Sequence, residues 1–173
     1  MKLGIISDTH ITSNLEKNQA VSLLIQLKRA FKDVDKIIHA GDVCEQFFLN
    51  ELEKIAPTLC VQGNCDTIDN LKIFINFSVN RYNIGVIHEL PKDLEGFMKK
   101  YELHIIICGK THIPIIKGTP FNTLLLNPGS PMKPKPPPPK PGFLKPVARN
   151  TVLTLNIDKN DVMSTFIVSL GTS

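Results

Sequence analysis

Residues 2–10, "KLGIISDTH", decide how the rest of the chain is read. A short apolar run suits a strand buried on both faces of a parallel sheet. It stops abruptly at Ser7, Asp8, Thr9 and His10. The same form then recurs. "KIIHA" (36–40) ends at Gly41-Asp42, "TLCVQ" (58–62) at Gly63-Asn64-Cys65-Asp66, "YNIGVIH" (82–88) at His88, and "LHIIICG" (103–109) at Gly109-Lys110-Thr111-His112. Five strand-like runs yield five polar clusters.

Helical patterns separate the first three runs. "SNLE" (13–16) has the Ser-x-x-Glu spacing of a capping box, so a helix is predicted to start there. Ala20, Leu23, Leu24, Leu27 and Phe31 follow on one face. A second helix should turn Phe48, Leu52 and Ile55 inward. This is repeated βαβ, and it predicts an α/β fold with a parallel sheet. Beyond it, runs at 73–79 and 82–88 flank Asn80-Arg81 as a hairpin would. A short helix at about 92–101 and strands at 113–117, 121–126, 150–157 and 162–169 complete the pattern, with residues 158–161 as the turn of a final hairpin. The glycines before Asp42, Asn64 and Lys110 are expected to allow sharp turns at the strand ends.

With 173 residues, 42% hydrophobic and 21% charged, the chain has the make-up of one soluble domain. No apolar run approaches the roughly 20 residues of a membrane span. Acidic and polar residues enter too early for a signal peptide, so a cytoplasmic location without membrane contact is expected. Cys44, Cys60, Cys65 and Cys108 have no CxxC spacing and are expected to be free thiols. The net charge of +4 equals the four lysines of "PMKPKPPPPKPGFLKP" (131–146), which leaves the body neutral and makes nucleic acid an unsuitable partner. That segment also holds eight of the thirteen prolines, so it should be an extended insert without ladder hydrogen bonds.

In an open α/β sheet the carboxyl ends of the strands line a common crevice. Asp8, His10, Asp42, Asn64, His88 and His112 should therefore converge, while His39 and His104 read as structural. Singly, Asp42 could cap a helix and Asn64 could form an Asx turn. Together, two carboxylates, three imidazoles and an amide lack any nucleophile beside a base, and they suit a mixed oxygen and nitrogen metal site.

"SDTH", "GDV", "GNCD", "IHE", "GKTHIP" and "LNPGSP" (126–131) resemble, in order, the motifs of the calcineurin-like metallophosphoesterases, in particular the small YfcE-type phosphodiesterases. The resemblance covers nearly the whole chain apart from the proline-rich insert. It implies a four-layer sandwich of mixed β-sheets flanked by helices, as a single domain over residues 1–173. It implies one or two divalent metal ions, manganese first, with iron, zinc and nickel as alternatives. Asp8, His10, Asp42 and His112 would hold one ion, and Asp42, Asn64 and His88 the other. The implied activity is hydrolysis of a small phosphoester substrate, a phosphodiester in the first place, by a metal-bound hydroxide, with Asp42, Asn64, His88 and Lys110 as the catalytic set.

Two positions depart from the family pattern. Lys110 stands at the first histidine of the usual GHTH motif, and Leu90 where the family often has the later histidine of THGH; Cys65, where larger relatives carry a histidine that protonates the leaving group, is common in the YfcE type. Two dications against Asp8, Asp42 and hydroxide leave a positive cluster that repels an ammonium. One dication leaves a negative cluster that an ammonium balances. At ~4 Å and an effective dielectric of ~20 each unit pair is worth about 4 kcal/mol, so Lys110 is expected to weaken the second site or to bind substrate phosphate. A retromer scaffold subunit shares this fold and works through protein surfaces, which makes a weakened or inactive binding protein the alternative. The proline-rich insert would then serve a protein partner or a homo-oligomer contact.

Overall fold

The computed structural model describes residues 1–12 and 17–171. The capping box expected at 13–16 lies outside the described residues. The elements run β1 (Lys2–Ile6), α1 (Lys17–Ala30), β2 (Lys36–His39), α2 (Gln46–Glu53), β3 (Thr58–Cys60), β4 (Phe74–Val79), β5 (Tyr82–Ile87), α3 (Leu94–Lys100), β6 (Ile105–Ile107), β7 (Pro114–Gly118), β8 (Leu124–Pro128), β9 (Thr151–Ile157) and β10 (Met163–Ser169). They form two five-stranded sheets, ordered β10-β9-β1-β2-β3 and β4-β5-β6-β8-β7.

Side-chain alternation sets the layers. In β1, Leu3 and Ile5 enter a core shared with Ile84, Val86, Ile105, Ile107 and Leu126 of the second sheet, so the sheets pack face to face. Ile6, Ile37 and Val152 point the other way and meet Ala20, Leu23, Leu27 and Phe31 of α1 and its C-terminal end, with Phe48 and Leu52 of α2. Ile106 and Leu103 meet Met98 of α3 behind the second sheet. Helices, sheet, sheet and helix make the four layers. Phe31 fits because Gly4 has no side chain; a Cβ there would lie 2.7 Å from the Phe31 ring.

Within the first sheet β1, β2 and β3 are parallel, as the βαβ pattern predicts, and β9 and β10 add antiparallel strands. The second sheet is mixed: β5, β6 and β8 run parallel between the antiparallel edges β4 and β7. Three expectations shift. Ile55 lies just beyond α2, half-buried against the same core. The strand expected at 121–126 is β8 at Leu124–Pro128, because Thr119 accepts from and donates to Thr123 across a tight turn that leaves Phe121 at its tip. Cys44 and Cys65 form a disulfide, so only Cys60 and Cys108 are free thiols.

Residues 131–150 contain no strand or helix, in keeping with their prolines. Among the described residues no helix is long and apolar enough to cross a membrane.

Candidate metal centre

The parallel strands of the two sheets end beside one another, and their loops interlock. Asp8 N–H donates to the Gly41 carbonyl and His10 N–H to the Asp42 carbonyl, both at 3.0 Å, which ties the β1 and β2 loops. Gly109 N–H donates to the His88 carbonyl at 3.0 Å, which ties β6 to β5. Lys110 N–H reaches Asp8 Oδ2 at 3.1 Å and joins one sheet to the other. The turns at these ends are sharper than the sequence alone suggests. Gly41 takes φ 86°, but so do non-glycine residues in the left-handed region: Asp8 (53°), His10 (50°), Asp42 (57°), Cys44 (75°), Lys110 (72°) and His112 (60°).

Gly63 and Gly109, expected to turn the chain, instead permit close approach. A Cβ on Gly109 would lie 2.0 Å from Ser7 Oγ, and one on Gly63 would lie 2.2 Å from the Asp42 nitrogen.

Asp8, Asp42 and His88 are buried, His10 and His112 half-buried, and Asn64 and Lys110 exposed at the rim. His112 Nε2 lies 3.3 Å from Asp8 Oδ1 and 3.3 Å from His10 Nε2. His10 Nε2 is 3.6 Å and His88 Nε2 3.3 Å from Asp42 Oδ2. The donor atoms of Asp8, His10 and His112 all fall within 4.8 Å of one another, as do those of Asp8, Asp42 and His88. His39 is packed under Thr9, and His104 accepts the Asn83 N–H; both stand outside this cluster.

The donor chemistry fits a cation. His88 Nδ1 faces the Ala40 carbonyl at 2.8 Å and His112 Nδ1 faces the Lys133 carbonyl at 2.7 Å. A carbonyl only accepts, so both rings carry a proton on Nδ1 and turn Nε2 inward, the nitrogen left to coordinate a cation, as is typical of metal-ligating histidines. His88 Nε2 is buried with no hydrogen-bond partner, since its approach to Asp42 is not aligned as a hydrogen bond. Asp42 Oδ1 accepts the Cys65 N–H at 2.9 Å, which leaves Oδ2 to face both histidines.

The electrostatics agree. Burial pushes the Asp8 carboxyl above its ordinary range, the cost of an uncompensated buried carboxylate, although Ser7 Oγ donates to it at 2.5 Å. Burial also pushes Asp42 upward, but the adjacent His88, the Cys65 amide and His10 outweigh it and hold Asp42 well below the usual carboxylate range. His10 is depressed by burial. His88 is lowered by burial and raised further by Asp42 and the Ala40 carbonyl.

Lys110 leaves this cluster. Its ammonium donates to Asn64 Oδ1 and lies 3.5 Å from Glu89 Oε2. The Asn64 amide oxygen, expected from the sequence as a ligand of a second ion, is thus engaged by an ammonium.

A model of the calcineurin-like phosphoesterase superfamily domain matches residues 1–150. The chain belongs to the calcineurin-like phosphoesterase superfamily. A probable metallophosphoesterase of Methanothermobacter thermautotrophicus is 35% identical over 143 residues, which cover 78% of this chain and 80% of that protein. Two solved structures share the fold. One is a novel archaeal phosphodiesterase (TM-score 0.68, 21% identity, 97% of this chain and 100% of that one). The other is Vps29 complexed with zinc from Entamoeba histolytica (TM-score 0.70, 18% identity, 98% and 99%).

Several residues that support this cluster carry little sequence signal. Asp66 accepts the N–H groups of Asp42 (3.1 Å), Cys44 (2.7 Å) and Gly63 (2.6 Å) and so fastens the β2 loop to the β3 loop. Ser130, after β8, donates to the Asp8 carbonyl at 2.8 Å. The "GNCD" and "LNPGSP" stretches that contain them are conspicuous, but nothing in either spacing says which amide or carbonyl will be met.

Proposed function

We propose that the chain is a metal-dependent phosphoesterase acting first on phosphodiesters, with Asp8, His10, Asp42 and His112 holding its resident cation. Manganese is the first choice for this mixed donor set, and iron, zinc and nickel are alternatives. The observation that carries the reading is the inward Nε2 of His112, 3.3 Å from both Asp8 Oδ1 and His10 Nε2 and held in place through Nδ1 by the Lys133 carbonyl. When bound, a divalent cation there supplies Lewis acidity and an activated water.

The remaining work falls to the chain's own side chains. Asp42, held through Oδ1 by the Cys65 amide, presents Oδ2 between His10 and His88 and so serves both halves of the centre. The Ala40 and Lys133 carbonyls fix the rings of His88 and His112. Lys110 takes over part of the charge of a second cation from the Asn64 side and is available to the substrate's phosphoryl oxygens. A second ion, held by Asp42, Asn64 and His88, is therefore bound more weakly than the first.

The test is turnover of bis(p-nitrophenyl) phosphate and p-nitrophenyl phosphate with added Mn²⁺, comparing wild type with Asp42→Ala. Metal-dependent cleavage of the diester that Asp42→Ala abolishes supports the reading. No metal-dependent turnover of either ester refutes it. One observation favours the scaffold alternative, namely that the Asn64 oxygen is already engaged by Lys110. In that case the proline-rich arm is the contact surface, and deleting residues 136–145 should change the oligomeric mass or partner binding while leaving metal affinity intact.

A further inference from the structure

The proline-rich insert does not begin clear of the centre; its root is built into it. Ser130 Oγ donates to the Asp8 carbonyl and accepts the Lys133 N–H, both at 2.8 Å. The Lys133 carbonyl accepts His112 Nδ1 at 2.7 Å, and Lys135 N–H donates back to the His112 carbonyl at 3.0 Å. Pro131 is buried and Met132 packs into the core beneath the helices. The backbone of Lys133 is thus held from both sides, through its N–H by Ser130 and through its carbonyl by His112.

From this fixed base the Lys133 side chain is exposed, and among the described residues no carboxylate lies within ion-pair distance of it. Nor is an acidic residue close in sequence: none occurs between Glu102 and Asp158, a stretch with six lysines and one arginine. A lysine with a fixed main chain at the lip of a phosphoester site, without a carboxylate partner among the described residues, has one obvious counter-charge, the phosphoryl group itself.

We infer that Lys133 is a substrate-binding cation for the phosphoester. It stands on the Asp8, His10 and His112 side of the centre, opposite Lys110 on the Asn64 side. This rests on the phosphoesterase reading and adds a positioning residue from a segment that composition alone presents as a solvated loop. Because His112 is held by the Lys133 backbone carbonyl, replacing the side chain removes the charge and leaves that support in place.

The experiment uses the Mn²⁺-loaded full chain with Lys133→Ala, Lys133→Arg and, as an equal change of charge farther along the arm, Lys140→Ala. Bis(p-nitrophenyl) phosphate kinetics give KM and kcat, and calorimetry with inorganic phosphate gives affinity without turnover. Loss of one charge-assisted contact should raise KM and weaken phosphate binding about tenfold or more in Lys133→Ala. Lys133→Arg should recover most of this, Lys140→Ala should match wild type, and Mn²⁺ affinity should stay constant throughout. Unchanged KM and phosphate affinity in Lys133→Ala overturns the inference. So does an equal loss in Lys140→Ala, or a parallel loss of Mn²⁺ affinity in Lys133→Ala and Lys133→Arg. If wild type cleaves no ester yet Lys133→Ala still weakens phosphate binding tenfold, the cation's role stands and the phosphoesterase reading falls.

Discussion

Replacing Lys110 tests whether one charge sets the number of metal ions. Its ammonium contacts Asn64 Oδ1, so a second cation bound through that oxygen would lie roughly 4 Å from it. At an effective dielectric of ~20 the repulsion between an ammonium and a dication at that distance is about 8 kcal/mol. The Lys110 side chain is 42% exposed, and solvent screening reduces this to about 2 kcal/mol. That corresponds to about thirtyfold in affinity. Lys110→Met should therefore tighten the second equivalent of Mn²⁺ by about thirtyfold, and Lys110→His by more, since it also adds a nitrogen ligand. The first equivalent, on the Asp8 and His112 side, should be unchanged. Calorimetric titration of metal-free protein reads both. Two ions bound with similar tightness in wild type, and unaltered by Lys110→His, would refute the reasoning.

Other consequences follow from the same geometry. Gly109→Ala, which drives a Cβ to 2.0 Å from Ser7 Oγ and 2.8 Å from the Ala40 carbonyl, should cost about 3 kcal/mol or more in urea unfolding. Ser130→Ala removes the hydrogen bonds that join Asp8 to Lys133 and should cost about 1–2 kcal/mol. Under denaturing, non-reducing conditions two thiols should alkylate, Cys60 and Cys108, rising to four after reduction. Breaking the Cys44–Cys65 link, across a sequence separation of 21, should cost about 3 kcal/mol of chain-closure entropy. Burial holds His39 down to about 3, below its unfolded value, so the native state binds fewer protons. Metal-free protein should lose stability as pH falls from about 6.5 toward 3, by on the order of 4 kcal/mol, and His39→Gln should flatten that slope. His88, whose raised value acts in the opposite sense, cannot supply it.

The strands and their succession along the chain were legible because they are short apolar runs, five of them with a polar stop, and the inward face of α1 follows from 3.6-residue spacing; which strand neighbours which across each sheet was not. The convergence of Asp8, His10, Asp42, His88 and His112 was legible for the same reason: parallel strands put their carboxyl ends on one edge. What escaped depends on which loop touches which. Cys44 and Cys65 carry no spacing signal, and they meet only because β2 and β3 are adjacent and parallel. The end of β8 is a sixth strand end in the same crevice; its LNPGSP stretch stood out as a motif, but Asn127, Pro128, Gly129 and Ser130 include no titratable group that would mark a role at the centre. The insert was read from its prolines, yet its role at the centre comes from main-chain atoms of Lys133 and Lys135, which composition does not reveal.

Six non-glycine residues in the left-handed region, at roughly 1 kcal/mol each, are a considerable strain to gather at one edge of a fold. The loops bear it because each is tied to another: β1 to β2 through Asp8 and His10, β2 to β3 through Asp66 and the Cys65 amide, and β6 to both sheets through Gly109 and Lys110. Relaxing one loop would break the contacts that hold its neighbour. The outcome is a set of inward nitrogen and oxygen lone pairs fixed before any ion arrives, so binding need not meet the entropy of ordering them. The repulsion among buried carboxylates that this rigidity maintains is what a divalent cation relieves. On the reading proposed above, Lys110 sets its charge at Asn64, outside the buried carboxylates, so the loops that prepare the first ion's site leave a second ion facing an ammonium.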